Sequence, residues 1–235
     1  MSDSEDNKNE NVLKVVLIGE SGVGKTSIIN QFVNGQFDPD EEVSINSSFK
    51  SKSIKIEGTG KVIKFCLWDT AGQEKYRSLS RIFYKDSKII IFVYEITGKK
   101  TFKALQDYWY KEVKNNSKPD SILVLVGNKS DLYNFAQVEK EDAEKWADEI
   151  GAIFQLTSAK NSNGLNILFQ NIGNKFLNPD FDYKSADNKI KQAYDDKKGK
   201  DNNKEDDDNV LSGFKITKIN NSNEITNQNK KSCCK

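Results

Sequence analysis

Residues 19–26 read GESGVGKT, with glycine at the first and sixth places followed by lysine and threonine. Glycines let a chain turn its backbone N–H groups inward around a diphosphate, and a helix starting just beyond adds the positive end of its dipole. Ser21, Gly22, Val23, Gly24, Lys25, Thr26 and Ser27 would form that cradle. Lys25 has the reach for the β and γ phosphates, and Thr26 offers a hydroxyl to Mg²⁺. A glycine-rich turn before a helix is the plain structural alternative. The loop by itself implies a nucleoside triphosphate and leaves the base open.

A base reader stands further on, in NKSD at 128–131. A carboxylate accepts two N–H groups from guanine N1 and N2, and adenine presents no such donor pair, so Asp131 is the guanine selector. Asn128 and Lys129 would buttress that loop and lie against the base. TSAK at 157–160 would bring backbone N–H groups of Ser158, Ala159 and Lys160 towards guanine O6. Taken alone, Asn-Lys-Ser-Asp is also an ordinary polar turn. Between the two motifs lies WDTAGQEKYRSL, 68–79. Asp69 can hold Mg²⁺ through water, Gly72 can bring its N–H to a γ-phosphate, and Gln73 can orient the attacking water. Trp68 has packing at a strand end as a competing explanation.

These groups need a frame that brings them to one edge. Apolar runs of strand length alternate with helical patterns, the signature of a mostly parallel sheet covered by helices on both faces. The expected strands are 12–19, a pair within 53–69 around a tight turn at Gly58-Thr59-Gly60, then 88–96, 121–128 and 152–158. The pair joined by the tight turn is antiparallel, which makes a six-stranded mixed sheet. Helices are expected at 25–34, 101–115, 140–150 and 164–177.

Composition sets the limits. Residues 1–11 are acidic and nearly without apolar side chains, and 178–235 mix Asp, Asn, Lys and Ser. Ordering either would cost chain entropy with little burial in return. A disordered arm at 1–11, one domain at 12–177 and a flexible tail at 178–235 are expected. With 36 basic and 35 acidic residues, and no arginine-rich stripe, nucleic acid is not an expected partner. No apolar run reaches membrane-spanning length and the N-terminus lacks a secretory core, so a cytosolic chain is expected. Cys66, Cys233 and Cys234 make neither a disulfide framework nor a zinc spacing.

GESGVGKT, WDTAGQE, YEIT at 94–97, GNKSDL at 127–132 and TSAK together resemble the small GTPase superfamily over about 12–177, and the Rab family within it. The resemblance implies a P-loop NTPase of the small G-protein fold that binds GTP and GDP with Mg²⁺. It makes Phe37 the ring that stacks on guanine. Ile45, Phe49, Trp68 and Phe83 become the effector-facing residues, and GQF at 35–37 looks like the endosomal branch.

The first switch would lie at 38–49, where the family's Thr-Ile-Gly is replaced by Ser44, Ile45 and Asn46. Ser44 keeps the hydroxyl for Mg²⁺ but loses the methyl that restrains its rotamer. Glu95 stands where the family commonly has Asp. Hydrolysis aided by Gln73 and Lys25 would be slow, about 10⁻⁴ per second without help, until an activating protein supplies an arginine.

The ending KKSCCK lacks cysteine at the fourth position from the end, and the adjacent pair Cys233, Cys234 resembles a double-geranylgeranylation signal. The implied partners are an exchange factor, an activating protein, effectors, and prenylation-escort and membrane-extraction proteins. The implied place is the cytosolic face of an intracellular membrane, with a cytosolic pool. Two other readings compete: a different P-loop enzyme such as a nucleotide kinase, and a nucleotide-holding scaffold that does not cycle.

Overall fold

The computed structural model describes residues 11–41, 48–69 and 84–185. Its strands are β1 (Asn11–Ile18), β2 (Ser48–Lys55), β3 (Val62–Asp69), β4 (Ile89–Glu95), β5 (Ile122–Asn128) and β6 (Ile153–Leu156). They form one six-stranded sheet in the order β2-β3-β1-β4-β5-β6. Neighbours are parallel except β2 and β3, which pair antiparallel as the turn between them requires. Both glycines of that turn have left-handed backbone, φ 74° at Gly58 and 70° at Gly60, so the tight reversal carries no Cβ penalty.

Buried parallel strands send alternate side chains to opposite faces, and each face needs its own cover. Leu13, Val15 and Leu17 of β1 pack with Ile28, Ile29 and Phe32 of α1 (Lys25–Asn34) and with Leu165, Leu168, Phe169 and Ile172 of α5 (Leu165–Leu177). The Phe32 and Phe169 rings stack there with centroids 3.5 Å apart. Val16 and Ile18 point the other way, into a second core. That core is closed by α4 (Lys140–Glu149) and by a helix running through α2 (Lys99–Ala104), one π-helical turn (Leu105–Trp109) and α3 (Tyr110–Asn116).

Four elements differ from expectation. β2 starts at Ser48 rather than 53: SFKSK has no apolar alternation to announce it and is held by pairing with β3 at the sheet edge and by Lys50 and Lys52 bonding to α1. The helix expected at 101–115 starts at Lys99 and carries a π turn that spacing does not announce. A short 3₁₀ helix at Ser130–Phe135, which buries none of its residues, follows β5 without a periodic apolar pattern to announce it. β1 begins at Asn11, paired with Ile63, so the frame takes in the last residue assigned to the arm.

α5 stops at Leu177 ahead of Pro179, where the domain is expected to end; beyond it the half-buried Tyr183 ring packs on the first core and Lys184 pairs with Asp148 at 2.6 Å on the surface. An aromatic side chain buries enough surface to hold a short polar segment.

Candidate functional site

Strand order reverses at β1, whose neighbours β3 and β4 leave in opposite directions, and the crevice at the strand C-termini is where such sheets bind ligands. Gly19 leaves β1 with its α-carbon against β4: a Cβ there would lie 2.1 Å from the Val93 carbonyl oxygen. The loop then runs to Gly24, φ 93°, from which α1 starts. No side chain caps α1 and no acidic residue stands in its first turn, so its leading N–H groups are left for an anion. Val23 is the buried foot of the loop in the first core. Its side chain therefore anchors the cradle.

Lys25 is buried, its ammonium donating at 2.8 Å to the carbonyls of both Gly19 and Glu20. The Glu20 carboxylate in turn accepts the Trp109 indole N–H at 3.0 Å, from the π turn. Thr26 donates its hydroxyl to Asp69 Oδ2 at 2.7 Å. Asp69 ends β3 and is only 1% exposed. Burial pushes its carboxyl above the usual carboxylate range, against the Thr26 hydrogen bond and the Lys25 charge.

Asp69 Oδ1 is buried without a hydrogen-bond partner. An orphaned carboxylate oxygen beside a threonine hydroxyl and an anion cradle is the donor set that suits Mg²⁺, which takes few protein oxygens and keeps waters and phosphates for the rest. No group of three or more His, Cys, Asp or Glu able to hold a metal occurs among the described residues.

The base end is built on Asn128, buried at the end of β5. Its Nδ2 donates to the Val23 carbonyl at 2.9 Å, and its Oδ1 accepts from the Thr157 hydroxyl at 3.2 Å and the Ala159 N–H at 3.3 Å. One amide thus ties the phosphate loop to both base loops. Gly24 is obligatory for the same reason, since a Cβ there would lie 2.4 Å from Asn128 Nδ2. Lys129, at φ 64°, turns the chain out of the strand, and its ammonium is tied to Glu95 Oε2.

Asp131 is exposed, with Oδ1 accepting from the Ser158 hydroxyl at 2.6 Å. The Ser158 N–H donates to the Asn163 carbonyl at 2.9 Å while its hydroxyl holds Asp131. Phe37, Asn128, Lys129, Asp131, Ala159 and Lys160 line one cleft of about 390 Å³ with Gly22, Gly24 and Ser27. The cleft therefore joins the base loops to the phosphate loop.

On the outer sheet edge Phe49 and Trp68 face each other across the β2–β3 register, ring centroids 5.3 Å apart, with Phe49 exposed and Trp68 packed partly on the second core. Trp68 thus packs at the strand end, the structural explanation that competes with an effector-facing role. Ser44, Ile45, Gly72, Gln73, Phe83, Cys233 and Cys234 lie outside the described residues. No local motif signals the contacts of Glu20 with Trp109, Glu95 with Lys129, or Glu41 with Ser27 and Asn30.

A sequence model of the Ras family matches residues 14–178. Ras-related protein Rab-22A of Homo sapiens is 41% identical to this chain over 168 residues, 72% of this chain and 85% of its own length. The Mus musculus protein of the same name is 40% identical over 168 residues, and Ras-related protein RabJ of Dictyostelium discoideum is 42% identical over 164 residues, 70% of this chain and 63% of its own.

Proposed function

Because the chain belongs to the Ras family, and to the Rab proteins within it, we propose that the cleft binds GTP and GDP with Mg²⁺ and that the chain hydrolyses GTP as a timed switch in membrane traffic. The observation that carries this reading is the single amide of Asn128, which fixes the phosphate loop and the Asp131 loop in one rigid cleft.

Each residue has a part. The α1 N-terminus and Gly22 to Ser27 hold the phosphates, and Lys25 exchanges its carbonyl partners for β- and γ-phosphate oxygens. Thr26, Asp69 and Ser44 would hold Mg²⁺, which when bound neutralises charge on the phosphates. Asp131, held in place by Ser158, accepts the guanine N–H pair, and Phe37 covers the base. Gly72 contacts the γ-phosphate, Gln73 orients the attacking water, and an arginine comes from an activating protein.

Exchange factors, effectors reading Ile45, Phe49, Trp68 and Phe83, and escort and extraction proteins complete the partner set. Lipid chains on Cys233 and Cys234 hold the protein on the cytosolic face of an endosomal membrane, with the tail as a tether.

The test is a competition titration of GTP against ATP on the wild-type chain and on Asp131→Ala. Guanine preference should be at least a hundredfold in the wild type and should collapse in the variant, since unpaired donors on a buried base are costly. Equal affinity of the wild type for both nucleotides would overturn the assignment.

A further inference from the structure

The stretch 38–41 turns back on α1. Asp38 Oδ1 accepts the Asp40 N–H at 2.9 Å, and the turn delivers Glu41 to the helix surface. Glu41 Oε2 accepts the Ser27 hydroxyl at 3.2 Å, and Oε1 accepts the Asn30 side-chain N–H at 2.5 Å. Asn30 is fixed in that orientation, because its own amide oxygen accepts from the Lys50 ammonium of β2. A carboxylate held at both oxygens is a fixed charge.

That charge stands at the phosphate end of the cleft, which Glu41 lines together with Gly22, Gly24 and Ser27. Ser27 directly follows Thr26, whose hydroxyl is bonded to Asp69. Lys50 brings a positive charge into the same cluster, since its ammonium donates to the Asn30 amide that holds Glu41.

We infer that Glu41 sets the chain's preference between nucleoside diphosphate and triphosphate: docked on Ser27 and Asn30, it opposes the extra negative charge of the γ-phosphate, and Lys50 offsets it in part. A neutral side chain there would treat the two nucleotides alike. A carboxylate discriminates, because the triphosphate brings one more negative charge into a cleft whose walls keep out part of the screening water. The inference rests on the nucleotide reading above.

The experiment measures the affinities of the full chain for GDP and for a non-hydrolysable GTP analogue, at fixed Mg²⁺, in the wild type and in Glu41→Gln, Glu41→Ala and Lys50→Gln. Glu41→Gln retains an oxygen for Ser27 or Asn30 and removes only the charge. It should raise the ratio of triphosphate to diphosphate affinity roughly three- to tenfold, as expected for one unit charge several ångströms away near a protein surface. Lys50→Gln should move the ratio the opposite way, and both effects should shrink as salt rises to about 0.5 M.

A ratio unchanged in Glu41→Gln, or equal losses for both nucleotides, would make Glu41 a structural latch and overturn the inference. A ratio changed in Glu41→Ala but not in Glu41→Gln would do the same, because the hydrogen bonds rather than the charge would then be responsible. Failure of the wild type to bind either nucleotide would instead overturn the nucleotide reading.

Discussion

Asp69 is a buried carboxylate with one oxygen bonded to Thr26 and the other without a partner. Burial raises its pKa above 3.8, so the folded chain holds that proton more tightly than the unfolded chain does. The resulting stabilisation is fully present below the unfolded value of 3.8 and is lost as pH rises through the raised value. In nucleotide-free, metal-free protein, Asp69→Asn should therefore melt at a higher temperature than the wild type at pH 7, with the gap closing towards pH 4. The same variant should hold nucleotide less well in Mg²⁺. Thermal melts in chelator across pH 4 to 8 read the first effect, and a variant no more stable than the wild type at pH 7 would contradict it.

The helix that runs from Lys99 to Asn116 carries the π turn, and Trp109 at the end of that turn reaches the first loop with its indole N–H. Glu20 is thereby held twice, at its carboxylate by Trp109 and at its carbonyl by Lys25. Local wide turns of this kind recur at functional sites because they re-aim a single side chain. Trp109→Phe keeps most of the ring packing and deletes the donor, which should cost about 1.5–3 kcal/mol, the range for a hydrogen bond to a charged group. Release of bound GDP should quicken as the loop loosens. A fluorescent-GDP chase reads the rate, and a rate unchanged with stability lowered would make the contact purely structural.

At the scale of the whole molecule the two cores are covered by helices, and among the described residues no helix is long and apolar enough to cross a membrane. In the proposed function attachment is assigned to Cys233 and Cys234, well past Ser185, the last described residue. Replacing both Cys233 and Cys234 with serine should leave nucleotide binding intact and move a tagged chain from membranes to cytosol, because two lipid chains give the stable anchoring that one does not. Fractionation with nucleotide binding measured alongside checks both halves, and an unmoved variant would end the lipid-anchor reading.

The loop between β1 and α1, the place of Asp69 at a strand end, the polar turn after β5 and a six-stranded sheet with one antiparallel pair were all legible from sequence, because each depends on a local pattern: glycine spacing, a strand end, or alternation of apolar residues. Tertiary structure alone decided that β2 reaches back to Ser48, that Tyr183 packs on the first core beyond Leu177, and that Glu41 lands on Ser27 and Asn30. It also decided that Glu95, which stands where the family commonly has Asp, holds Lys129. Each of these contacts joins residues whose separation follows no period, and its energy exists only once the sheet has brought the two segments together.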